Sequence, residues 1–227
     1  MRLNTDQVAV IKDFISKRGF KEQDLQLEIL DHLTCKIEDL MSENADVGFE
    51  DALGQAHAQF GVMGLSVLED SMRTSISHTF KQISLNVLKK WITFPNWIAV
   101  LGLSCVLFLF FTKLEENWSL VSAILIQLVF VLLTLFIQFR RSVPKRNMLI
   151  LKSLFPYSYL PIFVLQVQIN VLRPLMEKIE YFPMQPVLLV VILFWSVLNF
   201  HIFLEVHRYA IRRCEELEAT YGSLTIG

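Results

Sequence analysis

Four stretches without a single Asp, Glu, Lys or Arg constrain this chain more than any other feature: 91–112, 118–139, 153–172 and 181–204. They are 22, 22, 20 and 24 residues long. At 1.5 Å rise per residue, about 20 apolar residues cross the ~30 Å hydrocarbon layer of a bilayer. A helix in a soluble core needs only an apolar stripe, so uninterrupted runs of this length predict four transmembrane helices. Their spans are expected near 94–112, 118–139, 150–172 and 183–205. No segment alternates at period two. The expected fold class is therefore all-α, a small cytosolic helical bundle followed by four transmembrane helices.

The formal net charge of −1 conceals two halves of opposite sign. Through residue 90 there are 10 Lys and Arg against 14 Asp and Glu; from residue 91 onward there are 11 against 8. No broad basic surface is present to neutralise phosphates, so no nucleic-acid partner is expected. The N-terminal "MRLNTDQVAV" lacks the apolar core of a cleaved signal peptide.

Basic residues near span ends set the orientation. Lys81, Lys89, Lys90, Arg140, Arg141, Lys145, Arg146, Arg208, Arg212 and Arg213 fall on one side, and only Lys113, Arg173 and Lys178 on the other. This places both termini in the cytoplasm, with the lipid bilayer as the first partner. Trp91, Trp97 and Trp118 lie at span edges, where indole rings favour the interface. Cys35 and Cys214 would then be cytosolic and Cys105 within a span, so no disulfide is expected.

Residues 1–75 read as a cytosolic module. Asn4 or Thr5 caps a first helix with Val8, Ile11 and Phe14/Ile15 on its apolar side, ending near Gly19. A second helix carries Leu30, Leu33, Ile37 and Leu40/Met41, and after a break at "SENADVG" a third carries Phe49, Ala52/Leu53, Ala56 and Phe60, stopping at Gly61. From Leu65 to Trp91 apolar residues recur at a mean step of about 3.7, near the helical period. Its second half, 76–93, is expected to be an amphipathic linker that Pro95 breaks before the first span. Residues 94–206 form the membrane domain, and 207–227 a cytosolic amphipathic extension of the fourth span, ending at Gly222.

"LEILDHLTCKIEDLM", residues 27–41, carries the most chemistry per residue. At 100° per residue, Glu28, His32, Cys35 and Asp39 share the side opposite the apolar one. These are metal-ligand types, yet Glu28 and Asp39 lie about 16 Å apart along the axis, so the four cannot meet on one ion. No HExxH or CxxC spacing is present, and a lone helix face lacks the pocket and orienting group of a nucleophilic site. No metal, cofactor or catalytic residue is expected, and the chain is not expected to be an enzyme. Glu28, Asp31, His32, Glu38 and Asp39 are instead the candidate partner-binding residues.

Residues 28–61, "EILDHLTCKIEDLMSENADVGFEDALGQAHAQFG", resemble the bacterial helical modules called HAAS-type signalling and permease-prefix domains. The matching pieces are Glu28, Asp31, His32, Ile37, Glu38, the "FEDA" of 49–52 and the "FG" of 60–61. The resemblance implies a bacterial inner-membrane protein in which a cytosolic module binds a protein partner, a regulator or a transporter component. Such an adaptor could also form a homo-oligomer. A permease body of the size that follows some prefix modules is absent from the sequence.

Polar groups inside apolar spans are costly and mark packing or function. Gln127 lies mid-span in the second run, Gln166 and Asn170 share a face of the third, and Asn199, His201 and Glu205 approach the cytosolic end of the fourth. Gln127, Asn199, His201 and Glu205 are the candidate intramembrane polar set, read as interhelical glue and interface anchors. The alternative is a small transporter accessory or permease subunit acting as an oligomer. "FPYSYLP" predicts a proline-kinked third span, with Lys152 snorkelling to the cytosolic surface.

Overall fold

The computed structural model describes residues 2–44, 46–60, 64–93, 96–114, 116–142, 147–167, 169–170 and 184–221. Helices account for all regular structure among them, without a strand: α1 Thr5–Ser16, α2 Gln23–Glu43, α3 Phe49–Ala58, α4 Ser66–Ile92, α5 Asn96–Lys113, α6 Glu116–Ser142, α7 Leu149–Lys152, α8 Phe155–Val167 and α9 Met184–Tyr221. The stops assigned to Gly61, Pro95 and Gly222 lie outside the described residues. So do Lys145, Arg146, Arg173 and Lys178 from the charge count.

The chain divides into two compact units. The first comprises Met1–His78, Lys145–Ser153 and Arg212–Gly227; the second comprises Thr79–Pro144 and Leu154–Ile211.

In the first unit, Asn4 starts α1 with a reciprocal capping box. Its Oδ1 accepts from the Gln7 N–H at 2.8 Å, and Gln7 Oε1 accepts from the Asn4 N–H at 2.9 Å. Gly19, at φ +87°, provides the left-handed turn that releases the chain toward α2. Ile11 and Ile15 of α1, Leu25, Ile29, Leu33 and Ile37 of α2, and Ala52 and Ala56 of α3 form one buried core. Their steps of three and four residues keep a single face of each helix inward. Leu68 and Met72 of α4 pack against the same core. Across its rim, Lys36 of α2 donates to Gln59 at 2.7 Å and covers the Phe60 ring.

In the second unit, the Phe80 ring of α4 meets Tyr157 of α8 and Tyr209 of α9 edge-on, with centroids 5.6 and 6.3 Å apart. Phe111 of α5, Ala123 of α6 and Leu189, Val190 and Leu193 of α9 make a second apolar cluster. Pro156 sits in the first turn of α8, where a missing N–H is harmless, and Pro161 lies inside that helix.

Three helical stretches are long and apolar enough to cross a membrane: Trp118–Arg140, Leu149–Val167 and Gln185–Ala219. The first predicted span forms a shorter apolar helix, Ile98–Lys113. Large apolar side chains stand outward along these helices, with Phe139 77% and Val106 63% exposed. Water does not tolerate a surface of this extent, whereas lipid does. The last helix is longer than a bilayer requires. Its 35 apolar-rich residues reach about 52 Å at 1.5 Å each.

The candidate crossing Leu149–Val167 is interrupted. Leu149–Lys152 make one short helix, a turn follows at 153–154, and α8 begins at Phe155. Residues 145–153 cluster with the first unit.

Candidate functional site

The outer face of α2 is the first candidate. Because Leu25, Ile29, Leu33 and Ile37 are buried at 0% exposure, helical geometry turns the opposite side outward. Glu28, Asp31, His32, Cys35 and Asp39 are all exposed there. Glu28 and His32, one turn apart, approach to 3.4 Å. Glu38 behaves differently. It sits at the flank, half-buried, and accepts from the Leu3 N–H at 2.9 Å, which ties the segment before α1 to α2. Four of the five predicted partner-binding residues therefore lie on an open surface, and the fifth closes the module.

No group of three His, Cys, Asp or Glu side chains converges for a metal among the described residues. Partial desolvation, followed by the carboxylates of Asp31, Glu38 and Asp39, pushes the Cys35 thiol above its ordinary value. Less thiolate at neutral pH makes it a poor nucleophile and a poor ligand.

The second candidate is a junction that the sequence reading missed. The Asp24 carboxylate, 2% exposed, accepts from the Leu149 N–H at 2.7 Å and the Ile150 N–H at 3.0 Å, with its own helix's Leu25 N–H at 3.1 Å. An α-helix leaves its first four N–H groups without intrahelical partners. Asp24 supplies acceptors for two of them from 125 residues away. Beside it, the Gln23 N–H donates to the Asn147 carbonyl at 2.8 Å, and Lys152 pairs with Glu22. The lysine expected to snorkel is thus held by an acid of the module. Burial pushes the Asp24 carboxyl above its ordinary value, and the three N–H groups oppose that shift. Glu22 is held below the usual carboxylate range, chiefly by the hydrogen bond from Lys152. Met148, Leu149, Ile150 and Leu151 are all buried.

In the second unit the intramembrane polar set separates. Gln127 of α6, fully buried, donates through Nε2 to the Pro161 carbonyl of α8 at 3.0 Å, an interhelical bond as expected of glue. Its Oε1 is buried without a hydrogen-bond partner. Asn199 donates to the Trp195 carbonyl of its own helix at 2.8 Å, as Ser196 does to Ile192 and Thr134 to Phe130. Such i−4 bonds satisfy a donor in apolar surroundings without a second helix. His201 Nδ1 accepts from the Trp91 indole N–H at 2.8 Å, so the ring's proton sits on Nε2. That Nε2 lies 3.8 Å from Glu205, whose carboxylate accepts from Arg208 at 2.7 Å.

The chain matches no family model, no curated protein and no solved structure.

The arrangement offers an open acidic helix face, a buried hydrogen-bonded junction at that helix's base, and spans whose polar groups are mostly satisfied locally. A sequence signal for the junction did exist: an Asp in the first turn of α2, followed far downstream by a short apolar helix with no capping Ser, Thr, Asp or Asn of its own. Nothing in the spacing pairs the two.

Proposed function

We propose that this chain is a membrane-anchored adaptor of the bacterial inner membrane, with four passes, both termini cytoplasmic and α2 as its docking helix. The observation that carries this reading is the division of α2. One face is fully committed to the core, and the other presents Glu28, Asp31, His32 and Asp39 to solvent with no structural task beyond the Glu28–His32 pair. A solvated acidic face anchored on a rigid core suits a protein partner with a basic surface, because charge complementarity raises association rates and rejects wrong partners. The resemblance of residues 28–61 to HAAS-type and permease-prefix modules supports the same reading and points to a regulator or a transporter component.

The junction gives the adaptor a route for signalling. Residues 147–152 hold α2 through Asp24, Gln23 and Glu22, and the chain continues from them directly into the apolar run. Displacement of that run would act on the base of the docking helix. The transporter-subunit alternative needs free polar groups in the spans. The local bonds of Asn199 and Glu205 support the adaptor, while the unpartnered Gln127 Oε1 is a group that the alternative could use.

A photo-crosslinking residue placed at Asp31 or Asp39 of the full chain, in native membranes, tests the proposal. A discrete protein adduct is expected from both positions and none from the lipid-facing Phe139. Adducts confined to lipid or absent from α2 would remove the adaptor reading.

A further inference from the structure

Within the second unit, Phe111 of α5 clusters with Leu189, Val190 and Leu193 of α9. Toward the start of α5 a groove opens, in two adjoining stretches of about 310 and 390 Å³ that share Val100, Ser104 and Phe194 as walls. From Val187 to His201 it follows α9 for about 21 Å at 1.5 Å per residue. One leaflet of a ~30 Å hydrocarbon layer is about 15 Å deep.

Its polarity is one-sided. Phe108, Val187, Val190 and Val191 line the deep stretch, where Ser104 is the sole hydroxyl among the described residues. Among the described residues, the other polar groups of the lining gather at the opposite end: Lys90, Trp91, Asn96 and His201. Asn96 Nδ2 holds the Lys90 carbonyl at 2.7 Å, and Trp91 holds His201, so the Lys90 ammonium is the cation at a fixed mouth. Asn96 also begins α5, whose first-turn N–H groups carry the positive end of the helix dipole.

We propose that this groove is a binding site for one anionic phospholipid, with an acyl chain lying between α5 and α9 and the headgroup phosphate at Lys90 and the start of α5. The inference rests on the membrane reading of the second unit and is independent of the partner at α2. An extended peptide would bring a row of N–H and C=O groups against walls whose described residues offer the Ser104 hydroxyl alone in the deep stretch. A polymethylene chain needs no partner, and its charged end meets Lys90, the cation among the described lining residues. Trp91 and Lys90 stand where indole and ammonium groups favour the interface and an anionic leaflet.

The test uses the full chain, purified in detergent, delipidated, and exposed to equimolar phosphatidylglycerol and phosphatidylcholine of identical acyl chains. Native mass spectrometry then counts the lipids retained. One phosphatidylglycerol per chain is expected. Lys90→Gln, an exposed position safe for folding, should reduce the preference for phosphatidylglycerol about fivefold. Ser104→Phe should fill the groove and remove both lipids while the helical circular dichroism and unfolding midpoint stay unchanged. Loss of that midpoint would move the burden to Val100→Phe, read the same way. The proposal is overturned by a chain that retains no lipid, by equal retention of the two headgroups, by a preference that Lys90→Gln leaves intact, or by a dimer that forms through the groove.

Discussion

At the scale of single residues, the account turns on Asp24. Replacing it with alanine leaves the Leu149 and Ile150 N–H groups buried without acceptors, at an expected cost of about 3 kcal/mol. Asp24→Asn keeps one acceptor oxygen and should cost less. Hydrogen exchange at Leu149 and Ile150, with the thermal midpoint of the full chain, reads both effects; unchanged protection of these two amides in Asp24→Ala would refute the cap. Gln127 is expected to respond mildly. Gln127→Leu loses the bond to Pro161 but also removes a buried acceptor that has no partner, so stability should change by less than about 1 kcal/mol. His57 supplies a pH dependence. Half-buried beneath Phe14, it is held below its ordinary value of 6.5 by burial and then by Arg18. A depressed folded value means that the unfolded chain binds the proton more tightly. The contribution of His57 is therefore complete above 6.5 and lost as pH falls through the folded value. The wild-type midpoint should drop as pH falls below 6.5, and His57→Leu should flatten that drop. Equal slopes in the two proteins would contradict the assignment.

At the scale of elements, α2 divides into a buried face and an exposed one. Leu33→Ala should cost about 3 kcal/mol, because a fully buried leucine leaves a cavity. Asp31→Asn, on the opposite face, should stay within about 0.5 kcal/mol. Urea titration of the two variants separates the faces. This division was legible in the sequence, since apolar steps of three and four repeat through α1, α2 and α3 and recover Ile11, Ile15, Leu33, Ile37, Ala52 and Ala56 as core. The capping Asn4 was legible as well, as one of two adjacent candidates. Glu38 was misleading, because an acid 80° from Glu28 on a helical wheel looks like part of the wet face until the Leu3 N–H arrives from the chain terminus. Periodicity reports which side of a helix is buried, not which distant backbone group meets its end. The Asp24–Leu149 and Trp91–His201 bonds, 125 and 110 residues apart in sequence, are of that second kind.

At the scale of the whole molecule, the three cysteines provide a built-in topology probe. Cys35 is exposed on the module, Cys214 is buried, and Cys105 is exposed on an apolar helix of the second unit. A membrane-impermeant maleimide at mildly alkaline pH, which offsets the raised Cys35 thiol, should label Cys35 in inverted vesicles and not in intact cells. Labelling from outside would reverse the proposed orientation. The central claim is that the acidic face of α2 holds a partner and not the fold. Its most direct measurement takes the triple variant Glu28→Gln, Asp31→Asn, Asp39→Asn in the full chain and records two quantities in the same membranes: the unfolding midpoint and the yield of the partner adduct crosslinked from the α2 face. The account predicts an unchanged midpoint and an adduct yield reduced at least about tenfold, the loss expected when several rim charges are neutralised together. An undiminished adduct, or a midpoint that falls with it, would contradict the account.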